Sequence, residues 1–429
     1  IMDNLEVEQL KVTSTTPPAD SGLYKIDETT MGVVGDLKFR HPKTGAMSSA
    51  LTVTSTSAQG VASGGAGITL SAGATPFTVP GYSALDPIVP TIQTITPTVK
   101  GTLSTSNPAV IWIDADGICY GAYTTLLYRS IDGGATWGSN GSIASFAAGG
   151  NGKILAFRRL KNGEAIVSTD ASSPVGSKLW LSSGFATNPA TATWTAVLTR
   201  GDTETAFIDR SIAVDGNVIA CAAYGYPGYG VSRYVFYSPD AGLTWTTPFD
   251  TYMQCPNPSH AHVHGCAIDS IGGLLWVCAG DGADNRGVYV AKLGDFSTWQ
   301  KIWADQPTTA YPMRNAVILG TDNPDPNGIV RIRRNSWQLE SAVAVPSNNV
   351  LVGSTVFNRG RVGDALYLAS VFLGGQGDRG YLHATADGEN VFTLYEGESG
   401  TSVRRCVGPT DTGLLHLVLT RNGTSTEET

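Results

Sequence analysis

The chain has 429 residues, enough for one large domain plus a smaller element. A net charge of −8 with only 15% charged residues argues against nucleic acid or an anionic membrane as a partner. The 51 glycines suit a fold with many tight turns.

The first 107 residues differ from the rest. Asp3–Lys11 is a short alternating stretch. Thr16-Pro-Pro-Ala-Asp-Ser-Gly-Leu23-Tyr-Lys-Ile and Gly35-Asp-Leu37-Lys-Phe39-Arg-His-Pro-Lys-Thr-Gly45 follow, each a short apolar run bounded by turn residues. Residues 58–107 are rich in Gly, Thr and Pro, and Gly60–Gly81 is nearly free of charge. Such composition predicts a connector, either flexible or extended against neighbouring subunits. Thr75-Pro-Phe-Thr-Val-Pro suits an extended connecting segment.

From residue 108 onward the pattern is β throughout. Ser130-Ile-Asp132-Gly-Gly134-Ala-Thr-Trp137 and Ser238-Pro-Asp240-Ala-Gly242-Leu-Thr-Trp245 share the spacing Ser-x-Asp-x-Gly-x-x-Trp. Ser and Asp side chains accept backbone N–H groups in a tight turn, Gly permits the required backbone angle, and Trp buries a large ring beside it. Trp194, Trp299, Trp337 and Phe392 continue the series, at intervals of ~50 residues except for the 38 between Trp299 and Trp337, and ~50 is the length of one four-stranded propeller blade. The copy at Asp387 is worn, the one at Asp295 is a residue short, and the one at Trp194 lacks the Asp. Six such units run from about Ala109 to Glu396. The tail, Val403–Thr420, shows two more apolar runs. A ring must close or expose sheet edges. Strands from 92–103 are therefore expected to complete a seventh blade with the tail, six blades being the alternative.

The repeated turn resembles the Asp box of sialidase-like (BNR-repeat) β-propellers. The resemblance implies an all-β propeller of four-stranded blades. It also implies that Ser130, Asp132, Gly134, Trp137, Ser238, Asp240, Gly242 and Trp245 are structural and lie away from the ligand face. The segments before residue 57 resemble hairpin units near the N-termini of bacteriophage tail fibre proteins. That resemblance implies attachment to other tail proteins and a homotrimer. The expected organisation is an attachment and oligomerisation region over 1–57, a connector over 58–107 and a propeller over 108–429.

Candidate ligand residues follow from propeller geometry, in which first strands line the bore. Arg210, Arg314 and Arg404 stand at the start of three expected first strands, with His264 at the matching place in another. Guanidinium groups so placed either grip a carboxylate or phosphate, or bridge blades through carboxylates such as Asp209. His260-Ala-His262-Val-His264 alternates, so on a strand the three rings share one face. Metal binding, glycan contact and polar channel lining are its alternatives, with metal the weakest. Tyr224, Tyr226 and Tyr229 lie in a loop that opens on the pocket face, where tyrosines stack on sugars or pack the turn. No Tyr–Glu nucleophile pair or acid Asp is assignable, no cofactor is expected, and the balance leans against an enzyme.

Six cysteines without a Cys-x-x-Cys pair read as buried free thiols. No secretory leader or bilayer-spanning run is read in the sequence. Action at a host surface then implies release by lysis, as for a virion component. The expected function is a bacteriophage tail fibre or receptor-binding protein that contacts host surface glycan. A sialidase-like or capsule-degrading glycoside hydrolase is the alternative, and a purely structural tail component a second one.

Overall fold

The computed structural model describes strands at 22–25, 31–37, 51–53, 69–72 and 75–78, and residues 103–428 apart from 107, 115, 139–140, 148–151, 171–175, 200–204, 223, 226–232, 255–260, 282–285, 322–327, 335–338, 345–348, 351–365, 370, 373–378, 386–391, 409–414 and 421–426. Two compact units emerge, Ile1–Ile92 and Gln93–Thr429.

In the first unit, Gly22–Lys25 pairs antiparallel with Met31–Leu37, and Met31–Leu37 with Leu51–Val53. The hairpin expected around Leu23 is therefore present in the backbone. Within the expected connector, Thr69–Ala72 pairs antiparallel with Thr75–Thr78.

The second unit is an all-β propeller. Its blades are antiparallel sheets whose strands follow chain order. Blade one holds Ala109–Ile113, Cys119–Tyr123, Leu126–Ser130 and Ala144–Ser145; blade two, Ile154–Arg159, Ala165–Thr169, Lys178–Ser183 and Thr193–Thr199. In blade three are Ile212–Asp215, Val218–Ala222, Tyr234–Ser238 and Thr246–Asp250, and in blade four Ala261–Asp269, Leu274–Asp281, Gly287–Lys292 and Asp295–Trp303. Blade five has Pro307–Pro312, Ala316–Thr321, Gly328–Arg333 and Leu339–Ala344. The sixth is split into Leu366–Ala369, Tyr381–Thr385 and Phe392–Glu396 and a short ladder of Asn349–Val350 with Val371–Phe372.

Six blades thus run from Ala109 to Glu396. A smaller closing sheet follows, of Ser402–Val407, His416–Thr420 and Glu427–Glu428. Glu427–Glu428 adds a third strand to the two runs read in the tail. Any contribution of 92–102 lies outside the described residues, and Leu103 is not in a strand. Val407 of the closing sheet packs with Val110, Ile113 and Cys119 of blade one. The His416 Nε2–H donates to the Gly133 carbonyl at 2.9 Å, so the last sheet grips the first repeated turn.

Burial explains why the strands read as they do. Second strands lie between two neighbouring blades, so Ala165–Thr169 and Ala316–Thr321 are buried at every position. Outer strands face solvent, and Asp295–Trp303 buries no residue fully. Aromatic and aliphatic side chains fill the gaps between blades: Ile111, Tyr120 and Phe157 between one and two, Phe249, Val263 and Tyr289 between three and four. The five described cysteines are buried free thiols within this packing, and Cys255 lies outside the described residues. Burial pushes the Cys119 thiol up to about 11.

Both repeated turns join third and fourth strands and have the same hydrogen bonds. Gly134 N–H donates to Ser130 Oγ at 2.9 Å, and Thr136 donates N–H and Oγ1–H to the two Asp132 oxygens at 2.9 and 2.6 Å. Gly242, Thr244, Ser238 and Asp240 repeat this at 2.8, 2.8 and 2.6 Å. Gly134 and Gly242 have φ of 85° and 88°, a region that excludes most side chains. In blade two, which lacks the Asp, Glu164 from the neighbouring turn accepts Ser182 Oγ–H and the N–H groups of Gly184 and Phe185.

The inner strands approach closest at Gly265. A Cβ there would lie 2.9 Å from the carbonyl oxygens of both Arg210 and Thr308. Gly265→Ala is expected to force blades three, four and five apart and cost about 1–3 kcal/mol, read as a lower midpoint in urea. In blade six, burial pushes the His383 imidazole down to about 4. The unfolded chain binds that proton from the ordinary imidazole range downward, and the native ring does so only near 4. Stability should therefore fall as pH drops from about 6.5 to 4, by at most about 3 kcal/mol. His383→Phe should flatten that slope in denaturation measured across the interval.

Candidate functional site

The inner strands and the segments that lead into them carry a set of charged and polar residues: Arg158, Asp209, Arg210, His264, Tyr311 and Arg405. Asp209 and Arg210 lie on a 3-10 turn, Asp209–Ser211, just before the first strand of blade three. Asp209 is paired with Arg158 of blade two, whose Nη1 lies 2.8 Å from Oδ1. Arg158 Nη2–H also donates to the Asp209 carbonyl at 2.9 Å. Burial raises the Asp209 carboxyl, and the charges of Arg158, Arg405 and Arg210 more than reverse this, holding it below the usual carboxylate range. Tyr311 of blade five is buried in the same field, and burial pushes its phenol up.

Several donors here cross from one blade to the next. Arg405 Nη2–H donates to the Leu155 carbonyl at 2.9 Å, tying the closing sheet to blade two. Arg210 Nε–H donates to the His264 carbonyl at 3.2 Å. The His264 Nδ1–H donates in turn to the Pro307 carbonyl at 2.7 Å, which fixes the tautomer.

Above these contacts sits an aromatic group. Tyr224 is part-buried, on a two-residue strand paired with Thr205–Ala206. The Arg210 guanidinium lies 4.5 Å from the centre of its ring. The rings of His262 and His264 stand 5.4 and 5.9 Å from Tyr224 and 4.6 Å from each other. A bulge between Val263 and Gly265 re-aims His264. Gly280 leaves room for its ring, since a Cβ there would meet the imidazole at 2.0 Å.

The structure therefore gathers Arg210, Tyr224, His262 and His264 from the residues expected in the sequence. Tyr226, Tyr229 and His260 lie outside the described residues, as does the side chain of Arg404. Arg314 is not at the bore mouth. It is exposed in the turn after the first strand of blade five, and Ala316–Thr321 is the second strand. The error has a physical source: Ala316–Thr321 is a continuous apolar run, whereas the true inner strand, Pro307–Pro312, carries Pro at both ends and reads as a loop. Arg158 and Arg405 escaped notice because each sits inside its strand rather than ahead of it. Asp209 does bridge two blades, but through Arg158, which was not among the three arginines expected to use it.

Among the described residues, the charges of Arg158, Arg405 and Arg210 all act on the Asp209 carboxylate. The cluster can hold an anionic group by charge and a flat ring or sugar face by stacking. Among the described residues no three His, Cys, Asp or Glu are grouped to hold a metal ion. No helix among them is long and apolar enough to cross a membrane.

No protein family matches the sequence, and no curated protein does. Solved structures resemble the chain at low identity. A xyloglucanase of glycoside hydrolase family GH74 from Xanthomonas campestris is 11% identical, with a TM-score of 0.48 over 68% of this chain and 46% of that one. The GH74 enzyme of Niastella koreensis is 10% identical, with a TM-score of 0.48 over 76% and 54%. A chain of the mitotic checkpoint complex is 10% identical, with a TM-score of 0.49 over 82% and 96%. The chain spans about half the length of the two hydrolases. The propeller assignment rests on the sheet topology described above.

Neutralising Asp209 should leave the surrounding guanidinium charges uncompensated. Asp209→Asn is expected to cost about 3–5 kcal/mol, and the double variant Arg158→Met/Asp209→Leu to recover part of that loss in chemical denaturation.

Proposed function

We propose that the chain is a bacteriophage tail fibre or receptor-binding protein whose propeller holds a host surface glycan without cleaving it. The observation that carries the glycan reading is the part-buried Tyr224 ring, set against Arg210 and two imidazoles beside the inner strands. A tyrosine fixed in this way stacks on a sugar with little loss of side-chain freedom. Guanidinium groups at this place suit a glycan that bears carboxylate or phosphate. The fibre-like segments before residue 57 support tail attachment and a homotrimer.

The second reading is a sialidase-like or capsule-degrading hydrolase. Glycoside hydrolysis ordinarily uses two carboxylates about the scissile bond. The described cluster offers Asp209, and that group is committed to Arg158. A structural tail component remains the third reading, and it leaves the Tyr224 arrangement without a role.

On the proposed reading, the full chain binds an acidic polysaccharide on an array of bacterial capsular and O-antigen polysaccharides. Tyr224→Ala weakens that binding roughly tenfold or less, and Arg210→Met selectively weakens acidic glycans. Thermal melting of both variants separates lost recognition from lost folding. Light scattering should give the mass of a trimer. A monomer that binds no polysaccharide would defeat the proposal.

A further inference from the structure

Blade three carries a second aromatic array, on its third and fourth strands and the residues beside them. Arg233 leads into the third strand and Asp250 ends the fourth, and the two form an ion pair, Nε to Oδ1 at 3.3 Å. The Arg233 guanidinium lies 4.6 Å from the ring centre of Tyr234 and 4.1 Å from that of Tyr252, and it donates to the Tyr234 hydroxyl. Asp250 Oδ1 also accepts the Tyr252 N–H at 2.9 Å. Next to Tyr252, Thr251 is fully buried and anchors the short segment.

Tyr252 is thus fixed through its backbone and covered by Arg233, yet it retains 37% of its surface exposure. Strand order puts it on the connection from the fourth strand of blade three to the first of blade four. That connection emerges at the same end of the blade as the loop that carries Tyr224. Two pre-set tyrosines therefore stand on separate connections of one blade.

We propose that Tyr252 is a second sugar-stacking position for the glycan, an inference that rests on the function proposed above. Pyranose rings present a face of C–H groups that packs on an aromatic ring, and the ordering cost falls when the ring is already held. Arg233 and Asp250 neutralise each other, so this position takes an uncharged sugar, whereas the bore takes the acidic one. Two stacking positions of different charge call for a chain of sugars rather than a monosaccharide. The ligand class is an oligosaccharide or polysaccharide that contains both acidic and neutral units.

The test uses the full chain and fragments, one to six sugars long, of the polysaccharide it binds best on the array. Tyr252→Ala should weaken the longer fragments roughly three- to tenfold and leave the shortest acidic fragment unchanged. Tyr252→Phe should retain wild-type affinity, and melting of both variants should match wild type. Equal binding of long fragments by wild type and Tyr252→Ala overturns the second position. If Tyr224→Ala still weakens binding in that case, the bore reading stands alone. A wild-type chain that binds no polysaccharide overturns both.

Discussion

Close approach of the inner strands is the constraint on which the rest of the propeller depends. At Gly265 the backbones of blades three, four and five come so near that no Cβ fits between two carbonyl oxygens. Strands this close must satisfy their polar groups across blade boundaries, since an unpaired buried group costs as much as a lost hydrogen bond. The chain does so with side chains: Arg405 to Leu155, Arg158 to Asp209, Arg210 to His264 and His264 to Pro307. These donors link the closing sheet and blades two to five. The guanidinium groups are therefore part of the framework as well as the source of charge in the bore.

The outer parts of the blades solve a different problem. There the turns between third and fourth strands carry backbone N–H groups with no strand partner, and side-chain oxygens accept them. Asp132 and Asp240 do so in blades one and three, and Glu164 takes over in blade two from an adjacent turn. Hydrogen bonding holds the Asp132 and Asp240 carboxyls below the usual range. The first of these turns also receives His416 of the closing sheet. A local motif thereby also helps to hold the closing sheet against blade one.

Architecture was more legible in the sequence than the site. The Ser-x-Asp-x-Gly-x-x-Trp spacing and the aromatic period revealed the repeat, because turn chemistry and a buried ring leave a local signature. Apolar second strands were legible too, as runs buried on both faces. Inner strands were not. Pro307–Pro312 reads as a loop, which displaced the expected bore residue from blade five to the exposed Arg314. Arg158 and Arg405 gain their meaning only from neighbours far away in sequence, Asp209 and Leu155. Tyr252 has no motif at all, and its pose depends on Arg233 and Asp250 at the ends of two strands.

A bore that uses most of its charge to hold blades together is suited to rigid recognition. The proposed glycan would meet preformed groups, with Tyr224 already stacked and His264 already locked in one tautomer. Catalysis makes a different demand, since an acid or base must be free to exchange a proton with the substrate. The most direct test is the size distribution of the bound acidic polysaccharide after prolonged incubation with the full chain. Retained binding with an unchanged size distribution is the predicted result. Progressive shortening of the polysaccharide would contradict non-catalytic recognition and assign the propeller to the hydrolases.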